Sequence, residues 1–339
     1  MTTATAKNAS SATLDQLKMH QDVAFAKKGL IFAVFSGMSW GLNGVILSLA
    51  FGAAVFLNEE YWLLAPLTVG ALHDTFSALW LLIFNASTGR LRELGRTLRS
   101  KSARPVIIGA LFGGPIAMSS YMLGVKFAGP AYVMPITALY PAVASVFASI
   151  YLKEKICPRA WFGLVLCIVG GVIIGYTPPE GSLGTEFYLG IGFACIATFG
   201  WGTEGVLATS GMDLLDPAVA LNVRQLTSST VYLLVVLPLA GGHMLLVPGL
   251  MDSIGWVFPV AALTGAFSYV CWYRAMNMTG VSRAMAINIT YSLWGIFFSA
   301  VFTDVEITAN IIIGALVITT GMLLVVGNPK EMTSLRNVD

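Results

Sequence analysis

The chain has 339 residues, of which 56% are hydrophobic and 11% charged, with a formal net charge of +2. Soluble domains average about 25% charged residues, so a water-soluble globule is excluded. The four cysteines, Cys157, Cys167, Cys195 and Cys271, show neither metal-ligand spacing nor an extracellular pairing pattern and read as packing residues in or beside apolar stretches.

The first 28 residues, rich in Ser, Thr and Ala, show no cleavable signal. They read as a cytoplasmic tail, partly disordered or lying as a short surface helix. Ten apolar stretches follow, at 29–51, 61–84, 105–127, 130–151, 159–176, 187–210, 217–239, 254–276, 281–302 and 308–326. About 20 apolar residues cross the hydrocarbon core as a helix. Strands are excluded by length and by the need to satisfy every backbone group inside lipid. The expected fold is therefore an all-α integral membrane bundle of ten transmembrane helices, ending in a tail at 328–339.

Basic residues set the orientation. Lys7, Lys18, Lys27 and Lys28 precede the first span, and Arg90, Arg92, Arg96, Arg99, Lys101 and Arg104 follow the second. Lys153, Lys155 and Arg159 follow the fourth, Arg274 and Arg283 flank the loop after the eighth, and Lys330 and Arg336 close the chain. All lie on one side of a ten-span bundle. The opposite loops hold Glu59, Glu60, Glu180, Glu186, Asp252, Asp304 and Glu306 and no Lys or Arg. The positive-inside rule then places both termini in the cytoplasm. Topology thus explains the basic clusters without a nucleic-acid partner. Lys126 can snorkel to the outer interface, whereas Arg224, about two turns into the seventh span, needs a partner or a path to water.

The chain also repeats itself. Trp40-Gly41-Leu42-Asn43-Gly44-Val45 is echoed by Trp201-Gly202-Thr203-Glu204-Gly205-Val206. Pro66, His73, Ser77, Gly129 and Tyr140 correspond to Pro217, Arg224, Ser228, Gly280 and Tyr291 at an offset of 151. The Trp-Gly pair is offset by 161, so the first half holds about ten extra residues, assigned to the outer stretch from Gly52 to Tyr61. Two halves of five spans each, 29–176 and 177–327, must cross the membrane in opposite directions. Such inverted repeats place substrate near the midplane between the halves.

Several residues in the spans carry chemistry. Trp201 and Glu204 share one helix face, as do Trp40 and Asn43, with Gly37, Gly41 and Gly44 offering a smooth surface for close packing. A carboxyl inside a membrane span costs several kcal/mol unless solvated or paired. Glu204 is either a protonated, hydrogen-bonded carboxyl or a cation partner and proton carrier. His73 and Asp74 lie mid-span and, about 100° apart on the helix, are not expected to satisfy each other. Asp74 has Arg224 or nearby hydroxyls as partners, in structural pairing or proton relay. Tyr121, Tyr140, Tyr269, Trp272, Tyr273, Tyr291 and Trp294 supply aromatic faces, and Asn288, Tyr291 and Trp294 form one stripe. Ring faces attract a quaternary ammonium that cannot donate hydrogen bonds. Trp62, Trp161 and Trp256 read as interface anchors, and Trp80 is undecided. The chain has no Gly-rich loop, zinc motif or nucleophile–base arrangement, so neither a cofactor nor an enzymatic reaction is expected. The pattern reads as a transporter for a small cation.

The chain resembles the drug/metabolite transporter (EamA) superfamily, and within it the LicB-type choline permeases, from about Gly29 to Val326. The resemblance rests on Leu72-His73-Asp74, Gly114-Pro115-Ile116-Ala117-Met118, Leu139-Tyr140-Pro141 and Trp201-Gly202-Thr203-Glu204. It extends through Val223-Arg224-Gln225-Leu226-Thr227-Ser228 and Asn288-Ile289-Thr290-Tyr291-Ser292-Leu293-Trp294. It implies proton-coupled uptake of a choline-like cation across a bacterial inner membrane. The implied binding residues are Trp40, Trp201 and Glu204, with Tyr140, Tyr291, Trp294, Asn43 and Tyr121 as further candidates. Glu204, Asp74, His73 and Arg224 remain open between proton coupling and structural pairing. An exporter of amino acids or other metabolites on the same fold is the alternative.

Overall fold

The computed structural model describes residues 2–50, 53–128, 133, 136–137, 139–175, 184–302 and 309–327, and every regular element among them is helical. Helix α1 spans Thr2–Ala50, α2 Leu64–Ser87, α4 Tyr140–Tyr151, α5 Pro158–Gly175, α6 Thr185–Gly211, α8 Val257–Thr279 and α10 Ala309–Val326. The rod α3 runs from Ala103–Leu111 through a π-turn at Phe112–Ile116 into Ala117–Ala128. Rod α7 is built alike, from Pro217–Val231 through a π-turn at Tyr232–Val236 into Leu237–Ala240. The ninth, α9, comprises Val281–Asn288 and Tyr291–Phe302.

These rods fall on the apolar stretches read from the sequence. Among the described residues, six segments are long and apolar enough to cross a membrane: Val23–Leu47, Leu64–Ser87, Ala103–Gly124, Thr185–Gly211, Pro217–Ala240 and Val281–Phe302. The described parts of α4, α5 and α10 are shorter apolar helices. The chain is a multi-pass membrane protein. The N-terminal reading needs correction, because α1 continues unbroken back to Thr2. Readings on Glu59, Lys126, Gly129, Glu180, Asp304, Glu306 and 328–339 concern side chains or segments outside the described residues.

Helix α1 packs on α8 and α9, α6 on α3 and α4, α2 on α7, and α5 on α10. The first two sets exchange under the repeat. Close approach of α1 to α9 depends on Gly41, where a Cβ would lie 2.8 Å from the Tyr291 carbonyl oxygen and 2.7 Å from the Gly295 nitrogen. Gly44, expected in the same packing surface, faces open space instead. The extra outer residues of the first half fold into turns at Ala54–Phe56 and Glu59–Tyr61. Phe56 meets Phe258 edge-on, and Asp252 accepts the Ala54 N–H at 3.0 Å.

Candidate functional site

Helix α7 begins with a strong local signal. Asp216 caps it by accepting the Ala218 and Val219 N–H groups, and Pro217 occupies the first turn, where no N–H is needed. That start sets the phase placing Arg224 and Ser228 one turn apart on one face. Arg224 Nε donates to Glu204 Oε1 at 2.6 Å and Nη2 to Glu204 Oε2 at 3.3 Å. Its Nη1 donates to Asp74 Oδ2 at 3.4 Å and to Gln225 Oε1 at 2.5 Å, while Tyr269 covers the guanidinium 5.0 Å away. Glu204 and Arg224 are each only 2% exposed. Ions so placed lose several kcal/mol of solvation each, and only dense hydrogen bonding offsets that loss.

Asp74 on α2 reaches across to α7. Its Oδ2 accepts from Ser228 Oγ at 2.5 Å, and its Oδ1 accepts from His73 Nδ1 at 3.2 Å. Asn43 Nδ2 lies 3.4 Å from His73 Nε2. Asn43 is itself anchored on the Ala261 carbonyl and on Thr264 Oγ1. The expectation that His73 and Asp74 would not satisfy each other is thus overturned. Both interacting atoms lie close to their own backbone, so neighbours on one helix can meet sideways. The expected partners of Asp74, Arg224 and a hydroxyl, are both present.

The positions paired by the sequence echo can be compared in these bonds. Asn43 contacts His73 in the first half, and their counterparts Glu204 and Arg224 are paired in the second. Glycines make room at both places: a Cβ on Gly113 would collide with the Glu204 carboxylate, and one on Gly265 with His73 Nε2.

Two ring groups flank the ions. Trp201 lies 5.5 Å from Tyr121 and 6.5 Å from Tyr140 between ring centroids, and its Nε1 donates to the Gly113 carbonyl at 3.0 Å. That carbonyl belongs to the π-turn of α3, where Pro115 contributes no N–H to the helical ladder. Tyr140 Oη donates to Asn288 Oδ1 at 3.1 Å, and Asn288 Nδ2 to Ser36 Oγ at 2.8 Å. On the other side Trp40 meets His73 and Tyr269, and Tyr269 meets Trp272. Trp40, Tyr121, Trp201, Tyr291 and Trp294 are half-buried, unlike the sealed ions.

Other expectations fare unevenly. The stripe Asn288–Tyr291–Trp294 is interrupted by a turn at Ile289–Thr290, and Trp294 packs edge-on against Phe297 and tilted against Phe298. Trp80 is now assigned, its Nε1 donating to the Pro259 carbonyl at 2.9 Å. Cys167 and Cys271 are packed inside, Cys157 is half-buried, and Cys195 faces outward. The bond that Arg224 donates to Gln225 was not anticipated, and Tyr269, named as an aromatic face, was not placed over Arg224. The polar run Arg224-Gln225 inside an apolar span signalled the first, and the sequence named the ring of the second but not its partner. Among the described residues, no three His, Cys, Asp or Glu side chains gather as a metal would require.

The model of the EamA-like transporter family matches the chain twice, over residues 27–176 and 188–327. Protein LicB of Haemophilus influenzae is 31% identical over 281 residues, covering 79% of this chain and 87% of LicB. The uncharacterized transporter YyaM of Bacillus subtilis is 23% identical, covering 87% of this chain and 99% of that protein. A solved crystal structure shares the fold with a TM-score of 0.69 at 16% identity, over 88% of this chain and 96% of the other.

Proposed function

Because the chain belongs to the EamA-like transporter family, we propose that it is a proton-coupled secondary transporter of choline or a related small quaternary ammonium ion. It imports its cargo across a bacterial inner membrane by alternating access between two inverted five-helix halves. The ten apolar runs supply ten spans, and the basic-residue pattern supports both termini in the cytoplasm. The exchange of helix contacts and of the Asn43–His73 and Glu204–Arg224 pairs between halves supports the inverted arrangement.

One observation carries the reading. Two buried carboxylates, Asp74 and Glu204, converge on a single guanidinium, Arg224. The two acids outnumber the one guanidinium they share, in a medium where an uncompensated charge is costly. A cationic cargo supplies the missing charge. Glu204 acts here through Arg224 and not as a bare carboxylate, a revision of its expected role. The rings then divide the work: Trp40 and Tyr269 stand against the ionic cluster, and Trp201, Tyr121 and Tyr140 offer faces to the ammonium group, with Tyr291 and Trp294 further along α9. His73, held between Asp74 and Asn43, is the carrier of the coupling proton.

An exporter of zwitterionic metabolites would need Arg224 for a carboxylate, and that guanidinium is already engaged by Glu204, Asp74 and Gln225. The deciding experiment is radiolabelled choline uptake into proteoliposomes, with and without an imposed proton gradient, and with betaine, carnitine and amino acids as competitors. Saturable choline uptake that the gradient accelerates is expected. Amino-acid flux without choline flux would overturn the assignment.

A further inference from the structure

Beyond the end of α4 lies another buried carboxylate that the cation site does not use. Glu154 is 5% exposed. Its Oε1 accepts the Val281 N–H at 2.8 Å, and its Oε2 accepts the Ser282 N–H at 3.4 Å and the Ser282 hydroxyl at 3.1 Å. The carboxylate therefore sits on the first turn of α9, where unpaired N–H groups and the helix dipole favour negative charge.

Two backbone departures make the contact. Lys153 takes φ 53°, a rare value for a residue with a side chain, and this turns the chain leaving α4 back toward α9. Gly280 takes φ 83°, and a Cβ there would lie 3.0 Å from Glu154 Oε1. Helix α4 belongs to the first half and α9 to the second, so the bond ties the halves together. The same two helices meet again at the site, where Tyr140 on α4 donates to Asn288 on α9. Lys153, Lys155 and Arg159 mark this end as the cytoplasmic one.

We infer that Glu154 is the cytoplasmic latch of the transport cycle, bonded to Val281 and Ser282 while that end is shut and released when the halves part there. The inference rests on the alternating-access reading above. Charge-assisted hydrogen bonds of this kind shift a two-state equilibrium by roughly tenfold or more when removed.

The test uses single cysteines in the full-length protein, with the four native cysteines replaced by Ala, reconstituted in vesicles. Ile287→Cys reports the inner route two turns inside α9, and Ala65→Cys reports the outer end of α2; both positions are buried. Glu154→Ala should raise thiol-labelling at the inner probe roughly tenfold and lower it at the outer probe. Glu154→Gln keeps an acceptor for Val281 and should move both probes the same way by less, which covers a loss of folding in the Ala variant. An inner rise without an outer fall makes Glu154 a local helix cap and overturns the latch, as does labelling that neither variant changes. Choline flux is measured in parallel on the parent. Missing flux with reciprocal labelling intact removes the cargo and leaves the latch, whereas flux without reciprocal labelling does the opposite.

Discussion

The Arg224 guanidinium and the Glu204 carboxylate lie side by side in two hydrogen bonds, Nε to Oε1 at 2.6 Å and Nη2 to Oε2 at 3.3 Å. This fork geometry suits arginine and no other cation, because only a planar guanidinium presents two parallel donors. Removing one member leaves the other buried without its counter-charge, at a cost of about 3–5 kcal/mol. Arg224→Gln should therefore lower the unfolding temperature in detergent markedly. The double variant Glu204→Gln/Arg224→Gln should recover part of the loss, with a coupling energy of about 1–3 kcal/mol. Strict additivity of the two single changes would show that the pair is not coupled.

Glu204→Gln also removes one of the two negative charges around Arg224. Uptake driven by a pH gradient should then fall to background, because the cluster no longer has a charge in excess for a cation. Proteoliposomes giving parental uptake with this variant would refute the charge argument. His73→Gln should retain choline binding and lose the dependence of uptake on the gradient, measured in the same vesicles.

Trp201 offers the ring face best placed beside Tyr121 and Tyr140. Trp201→Ala should weaken choline binding by about 1–2 kcal/mol, the strength of a desolvated cation–π contact. Trp294 packs against Phe297 and Phe298, so Trp294→Ala should cost less binding than Trp201→Ala. Calorimetry giving the reverse order would move the ammonium site along α9.

Gly113 leaves no room for a side chain, since a Cβ there would run into the Glu204 carboxylate. Gly113→Ala should displace Glu204 from Arg224 and destabilise the protein by about 1–3 kcal/mol through overpacking. Thermal unfolding equal to the parent would mean that α3 and α6 can separate without loss.

In the segment before α8, backbone N–H groups of Ile254 and Ala54 hold the Asp252 carboxyl below the usual carboxylate range. A depressed folded-state pKa contributes stability above the unfolded value, about 3.9, and that stability is lost as pH falls through the folded value. Protection of the Ala54 and Ile254 amides from hydrogen exchange, taken relative to their intrinsic rates, should fall as the pH drops below about 4. In Asp252→Asn the acid-dependent step should vanish, and its persistence would assign the step to another group.

The helical bundle was legible in the sequence because hydrocarbon imposes a local rule: a long apolar run must close its own hydrogen bonds. The helices α2, α6 and α7 lie within a few residues of their expected ranges for that reason. Length was less legible at the N-terminus, where polar residues continue the helix of α1 without any apolar signal. The candidate site was legible in its members but not in its bonds. His73, Asp74, Glu204 and Arg224 stood out because ionisable groups are rare in such spans. Tyr269 and Asn288 stood out only as an aromatic face and a member of a stripe, and Gln225 only within a motif, since their partners depend on what faces them across a helix interface.

The sequence by itself determined the membrane-spanning class, the internal duplication and the identity of the buried charges, all consequences of composition along a single helix. Only the tertiary structure decided that Glu204 belongs to Arg224, that Asp74 meets Ser228 and Arg224, and that Trp294 lies among phenylalanines. Partners of that kind are fixed by the rotation and order of neighbouring helices, which depend on packing between residues far apart in the chain.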